Sequence, residues 1–520
     1  MRRKVSAVLQ LLCALGLVPL IASKTSAQAI DEEVKEPSTP STLSVDEEIK
    51  ALRERLATLE SRQIEMKKEA TAAAAAMPTF SYRPGNGAMI EAADKSWSLR
   101  AALEAHFRML FESGLDEIGR TNGEIMGRRL RPYFYYCRMN CFYELEVGLD
   151  LDGFGTGNGK NSTNTATGSM LQRAALHLHF EQLNPWMPSV DTGMDISTTG
   201  AAAISRQGSS DIGVQREYDL LTRNVSMNTG RAGQGINLRW DNRSLSAIGI
   251  PGRISRFSVA MASISEGDDG RSSFKDAGQN FDGYLGINPF SQLKNKWLQG
   301  LLLEFGAWFC NNKGYRGNTD NGCDRVRVQD HGDAGRQALF DTGSDSVGKG
   351  WYKTYSPGIA WTIGPYRLRV MGMWLDADER PTGGAGANAG RKKTAHNFLI
   401  GHDLFIWSPK GFLTGSATAP GSILVGYHFE RNDLECNTCT GGHFSQFHRN
   451  RIILNEWGIA YFFAPRMSVL ANVLWYNASN LRVGAGQACA NLGVCNSSGA
   501  GRSGRGGEWV DGSITLRVNF

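Results

Sequence analysis

Ile514-Thr515-Leu516-Arg517-Val518-Asn519-Phe520 ends the chain with an apolar residue at every second position and Thr, Arg and Asn between them. A period of two marks a β-strand whose two faces meet different surroundings. The same beat sets Trp97, Leu99, Ala101, Leu103, Ala105 and Phe107 against Ser98, Arg100, Ala102, Glu104, His106 and Arg108. It returns over 143–151, where Glu144, Glu146 and Asp150 take the polar face, and over 173–180, where Arg173, His177 and His179 do. Arg367 and Arg369 oppose Tyr366, Leu368 and Val370, and further apolar faces run through Trp457–Tyr461 and Met467–Trp475. Soluble sandwiches alternate too. Here, however, the polar face carries Arg, Glu and His along the whole strand, and aromatics gather near strand ends.

Working outward, weaker segments near 190–195, 235–240, 256–263, 281–287, 297–309, 351–363, 395–406 and 422–430 bring the strands to about sixteen. Their connections alternate in length. Short ones lie near 137–140, 181–188, 289–295, 364–365 and 463–466, with intermediate members near 241–252 and 408–420. Long ones lie near 153–168, 197–230, 265–280, 310–350, 376–393, 431–449 and 477–506. Short turns on one side and long loops on the other, with an even strand number, belong to transmembrane barrels. The fold class expected is therefore all-β: a transmembrane antiparallel β-barrel of about sixteen strands over residues 96–520. A closed sheet pairs every backbone polar group, so only the outward half of each strand need be apolar. Sixteen strands are too many for side chains to plug, which leaves an aqueous channel. Trp97, Tyr284, Trp297, Trp351, Trp407, Trp457, Trp475 and Trp509 are expected to form the interfacial girdles.

Composition agrees. The 520 residues include 61 Gly but only 16 Pro, are 41% hydrophobic and 21% charged, and have a mean hydropathy of −0.30. Beyond the N-terminus no run approaches the roughly 20 apolar residues of a membrane helix. A net charge of +5 is too weak for this length to suggest nucleic acid as a partner.

Before the barrel the chain changes character three times. Arg2, Arg3 and Lys4 precede an apolar run from Val5 to Ala22, and Ala27-Gln28-Ala29 supplies a cleavage site, so residues 1–29 read as a signal peptide. In 30–69, Val45, Ile49, Leu52, Leu56, Leu59, Gln63 and Met66 recur at spacings of four and three behind a Ser44/Glu47 capping box, which predicts a periplasmic coiled-coil segment. Residues 70–95, an Ala run followed by Pro78, Pro84, Gly85 and Gly87, read as a linker. Once Cys13 leaves with the signal, eight cysteines remain in four close pairs: Cys137/Cys141, Cys310/Cys323, Cys436/Cys439 and Cys489/Cys495. In an exported chain these are disulfide candidates closing local loops. The run Cys436, Cys439, His443, His448 lacks the long spacer of a zinc finger, so no metal is expected.

The terminal pattern Ile514-x-Leu516-x-Val518-x-Phe520, the Arg128-Arg129-Leu130-Arg131 segment leading into Leu145–Leu151, and the helix–linker–barrel order resemble a Gram-negative outer-membrane porin, in particular the phosphate-selective porin O and P family. That resemblance implies a homotrimer in outer-membrane lipid, assembly machinery engaged through Phe520, an arginine-lined lumen and an inward-folded constriction loop. Arg100, Arg108, Arg129, Arg131, Arg173, Arg239, Arg367, Arg369 and Arg517 fall on the water-facing sides, and Arg206, Arg216 and Arg223 lie in the longest early loop, the candidate constriction. Guanidinium forks favour phosphate or carboxylate, so passive diffusion of small hydrophilic solutes with an anion preference is expected. The competing reading of these arginines is that they pair with glutamates of the neighbouring strand and hold the wall together. No cofactor is implied and no enzyme is expected: the glycines before Lys160 miss P-loop spacing, and no G-x-S-x-G elbow or H-E-x-x-H occurs. The alternative function is a structural protein tethering the envelope through its coiled coil.

Overall fold

The computed structural model describes residues 45–113, 122–149, 151, 171–194, 234–241, 254–263, 279–312, 327–329, 338–341, 349–380, 392–436, 450–479 and 507–519. The signal peptide, Arg206, Arg216, Arg223, Cys323, Cys439, Cys489, Cys495 and Phe520 lie outside them. The chain divides into two units, residues 1–74 and 75–520.

Helix α1 (Val45–Ala76) belongs almost wholly to the first unit. Its 32 residues span about 48 Å at the usual rise. Ile49, Leu52, Leu56, Leu59 and Met66 of the heptad seam are all exposed. The helix outruns the expected boundary after Glu69 because the alanines that follow are the strongest helix formers. The rest of the supposed linker is ordered as well: β1 (Thr79–Arg83) and β2 (Gly87–Glu91) form a hairpin around Pro84, Gly85 and Asn86.

Among the described residues the second unit holds one large antiparallel sheet and a separate two-stranded pair. Its main strands are β3 (Trp97–Ser113), β4 (Asn122–Arg138), β5 (Tyr143–Leu149), β6 (Leu171–His179), β7 (Ser189–Met194), β8 (Gln234–Asp241), β9 (Ile254–Ser263), β10 (Gln279–Ile287) and β11 (Leu301–Asn312). After a separate pair, β12 (Arg327–Gln329) and β13 (Ala338–Asp341), come β14 (Lys349–Ile363), β15 (Tyr366–Arg380), β16 (Lys392–Ser408), the short β17 (Gly411–Phe412), β18 (Ser422–Cys436), β19 (Asn450–Ala464), β20 (Met467–Ser479) and β21 (Gly507–Asn519). From β3 to β21, apart from β12, β13 and β17, each strand pairs with the next. β21 then pairs back to β3, from Asn519 opposite Glu104 to Val510 opposite Ser113. Among the described residues that ring holds sixteen strands, where about sixteen were expected. Ser113 and Asn122, the facing ends of β3 and β4, are separated by only eight residues in the chain, a spacing too short to stand out among the long loops read from the sequence.

The ring is inside out compared with a soluble protein. Phe107, Phe305, Ile359, Trp374, Ile459 and Val473 stand exposed on its outer face, while Arg108, Glu146, Asp191, Glu304, Glu456 and Arg517 are buried on its inner face. Each Leu or Phe left in water forgoes about 1.5–3 kcal/mol of burial, so an outer surface of this kind suits a hydrocarbon solvent. Aromatics collect at the short-turn end, where Trp361 Nε1 donates to the Trp297 carbonyl at 2.7 Å and Trp240 Nε1 to the Trp186 carbonyl at 3.2 Å. Two expected girdle residues are placed differently. Tyr284 is only 2% exposed, points inward and bonds Glu304 through its hydroxyl at 2.5 Å. Trp297 sits in a helical turn, α2 (Lys296–Gln299), capped by Asn295, so the strand begins at Leu301.

The β1–β2 hairpin occupies the edge of β3 that β21 leaves open, with Ala88 opposite Ala101 and Glu91 opposite Ser98. Between hairpin and strand, Asp94 accepts from Ser96 N and Oγ, and these bonds hold its carboxyl below the ordinary value. Gly87 has φ +91°, and a Cβ there would stand 2.0 Å from the Ala101 carbonyl oxygen. Gly87→Val is therefore expected to lift the hairpin off β3. Limited proteolysis should cut the 77–92 segment in the variant and spare it in the parent.

Candidate pore-lining wall

The inner face of β3 to β8 gathers charged side chains into a staircase. In cross-strand register, Cys137, Glu144, His177, Asp191 and Asn237 form one row, and Arg100, Tyr135, Glu146 and Ala175 the row beside it. The polar contacts cross between rows. Arg173 Nη1 donates to Glu146 Oε1 at 3.1 Å. His177 lies with Nε2 3.1 Å from Glu146 Oε2 and Nδ1 2.8 Å from Asp191 Oδ1. Asp191 Oδ2 also accepts from Asn237 Nδ2 at 2.9 Å and faces Arg239 Nη1 at 3.5 Å. Tyr135 stands opposite Glu146 in register, and the Arg100 guanidinium lies 4.0 Å above the Tyr135 ring. Gly148 makes room at the base: a Cβ there would meet the Tyr133 ring at 2.8 Å.

Burial sorts the signs of charge. The side chains of Glu146 and Asp191 are 6% and 5% exposed, those of Arg173 and Arg239 26% and 29%. The carboxylates thus sit back in the wall and the guanidiniums stand forward. Arg367 repeats the arrangement, bonding Asp403 through Nε at 3.1 Å.

The other arginines singled out by the sequence are scattered. Arg108 is buried and donates through Nε to Thr515 at 3.2 Å, Arg517 and Arg131 are buried, and Arg369 is half-buried on β15. Arg129 pairs His106 in backbone register, and its side chain lies outside the described residues. Pairing in the wall, rather than a free arginine stripe, is the rule for Arg173, Arg239 and Arg367. Four residues that hold the staircase were not singled out: His177 as a bridge, Asp191, Asn237 and Tyr135. The alternation Ser189, Asp191, Gly193 against Val190, Thr192, Met194 carried the signal for Asp191, but in a strand of six residues it is faint.

Opposite the staircase the inner face is not uniformly polar. Met373, Leu399, Leu454 and Leu474 are buried there, alongside Glu430, which accepts from Asn397 at 2.7 Å and Asn432 at 2.9 Å. Among the described residues no group of His, Cys, Asp and Glu could hold a metal. Cys137 and Cys141 are joined as a disulfide across the β4–β5 turn, with Cα atoms 4.8 Å apart. The other three cysteine pairs fall wholly or partly outside the described residues.

No family model matches the chain, and no curated protein does. Among solved structures it is similar to in-vitro folded OmpT of Vibrio cholerae in its trimer form, at 12% identity over 82% of this chain and 100% of that one, TM-score 0.47. It is also similar to the outer membrane channel DcaP of Acinetobacter baumannii, at 5% identity over 82% and 98%, TM-score 0.44, and to a porin refined at 1.8 Å, at 8% identity over 81% and 99%, TM-score 0.38.

Proposed function

We propose that this chain is an outer-membrane channel for passive diffusion of small hydrophilic solutes or ions, with a preference for anions. In this reading residues 1–29 direct export, 30–69 form a coiled coil in the periplasm that joins three copies, and the barrel conducts. The observation that carries the channel reading is the inverted distribution of side chains, apolar outside and ionised within, on a ring of sixteen strands. The anion preference rests on the sorting of charge by depth. An ion passing the β5–β8 wall meets Arg173 and Arg239 before the carboxylates behind them, and guanidinium forks suit oxyanions.

Planar-bilayer recording on purified protein tests both parts. Discrete conductance steps are expected, with a reversal potential under a potassium chloride gradient of the sign that anion flow gives. An electrically silent barrel would return the coiled-coil tether as the function, and a potential of the cation sign would remove the anion preference alone.

A further inference from the structure

His177 is the one staircase residue with a carboxylate at each ring nitrogen. A neutral imidazole has one N–H and one lone pair, so it can satisfy one carboxylate and must turn its lone pair on the other. Glu146 already faces Arg173, and Asp191 faces Arg239. Those cations favour the ionised carboxylates, which only accept hydrogen bonds. Both protons in the His177 bridge must then belong to the ring. We infer that His177 is an imidazolium that sets the charge selectivity of the wall, joining two carboxylates and leaving the staircase with a surplus positive charge.

The inference rests on the channel reading above and names the group that tunes it. Arg100, Arg173, His177 and Arg239 are four cations set against Glu144, Glu146 and Asp191. Without the ring proton these seven groups sum to zero, and one carboxylate loses its bridge. The groups facing His177 from each neighbouring element are Glu144 and Glu146 on β5, Arg173 and His179 on β6, Asp191 on β7 and Arg239 on β8, with Tyr135 of β4 behind Glu146. His179 is engaged elsewhere, its Nδ1 2.7 Å from Glu181. His177 itself is 14% exposed, close enough to water for its proton to leave to bulk.

The test is the reversal potential of the full-length protein in a potassium chloride gradient, recorded from mildly acidic to alkaline pH for the parent, His177→Gln and His177→Arg. The parent should lose anion preference as the solution turns alkaline. His177→Gln should be less anion-preferring than the parent throughout the range below that change and should show no such change of its own. His177→Arg, which keeps the charge and two donors, should hold the parent's low-pH selectivity into alkali. A parent whose selectivity is flat with pH, or a His177→Gln channel that follows the parent, overturns the inference. Should His177→Gln fail to fold, the parent and His177→Arg curves decide it. Absence of conductance in the parent would instead count against the channel reading.

Discussion

Arginine in place of Val473 should cost about 2–4 kcal/mol of folding stability in lipid vesicles, the range for a cation at the lipid-facing midplane of a barrel. Val473 is the middle residue of β20, 49% exposed, with Ser468, Leu470, Asn472 and Leu474 buried on the opposite face. In a protein surrounded by water, an arginine at a half-exposed valine shifts stability by no more than about 0.5 kcal/mol. The two environments therefore predict effects differing several-fold from one substitution. Urea unfolding of Val473→Arg against the parent in vesicles measures the difference. A change within the smaller figure would mean that the outer face does not meet hydrocarbon, and the channel reading would fall with it.

Glu146→Ala should cost about 3 kcal/mol. Removing one partner of a buried ionic network leaves the others uncompensated, at roughly 3–5 kcal/mol. The lower end applies because Arg173 keeps about a quarter of its side chain in solvent. Arg173 and His177 lose a shared partner at once. Glu146→Gln keeps one acceptor oxygen and should cost less. A double-mutant cycle with His177→Gln measures the coupling, expected at about 1–3 kcal/mol for residues in one network. A coupling near zero would show that the two side chains do not act as a unit, whatever the single variants cost.

What the sequence made legible was the outer face of the barrel. Trp457, Ile459 and Tyr461, and Leu99 through Phe107, alternate because lipid demands apolar groups at every second position, a demand that acts on each strand alone. The inner face obeys no such one-strand rule. Leu454 and Leu474 point inward on β19 and β20, where period-two reasoning expects polar residues, and Tyr284 turns inward because Glu304 on the next strand offers its hydroxyl an acceptor. The staircase was hidden for the same reason. Arg173 and Glu146 were both visible on their own strands, but their pairing depends on a register diagonal across β5 and β6, and His177 becomes a bridge only once β5 and β7 flank it. The β1–β2 hairpin was missed on composition: Pro84 and Gly85 look like a linker, yet they make the tight turn that lets 79–91 pair.

The shared edge of β3 has a consequence for the width of the barrel. β21 ends its pairing at Asn519 opposite Glu104, and β2 begins opposite Ala101, leaving only Ala102 and Leu103 between them. A slip of the closing strand that preserved its faces would have to be two residues. In one direction, the residue after Asn519 would then need the place that Ala88 already holds. The hairpin is thus an end-stop against that slip, and because stagger and strand number together determine the diameter of a barrel, thirteen residues ahead of the first long strand help to calibrate its bore.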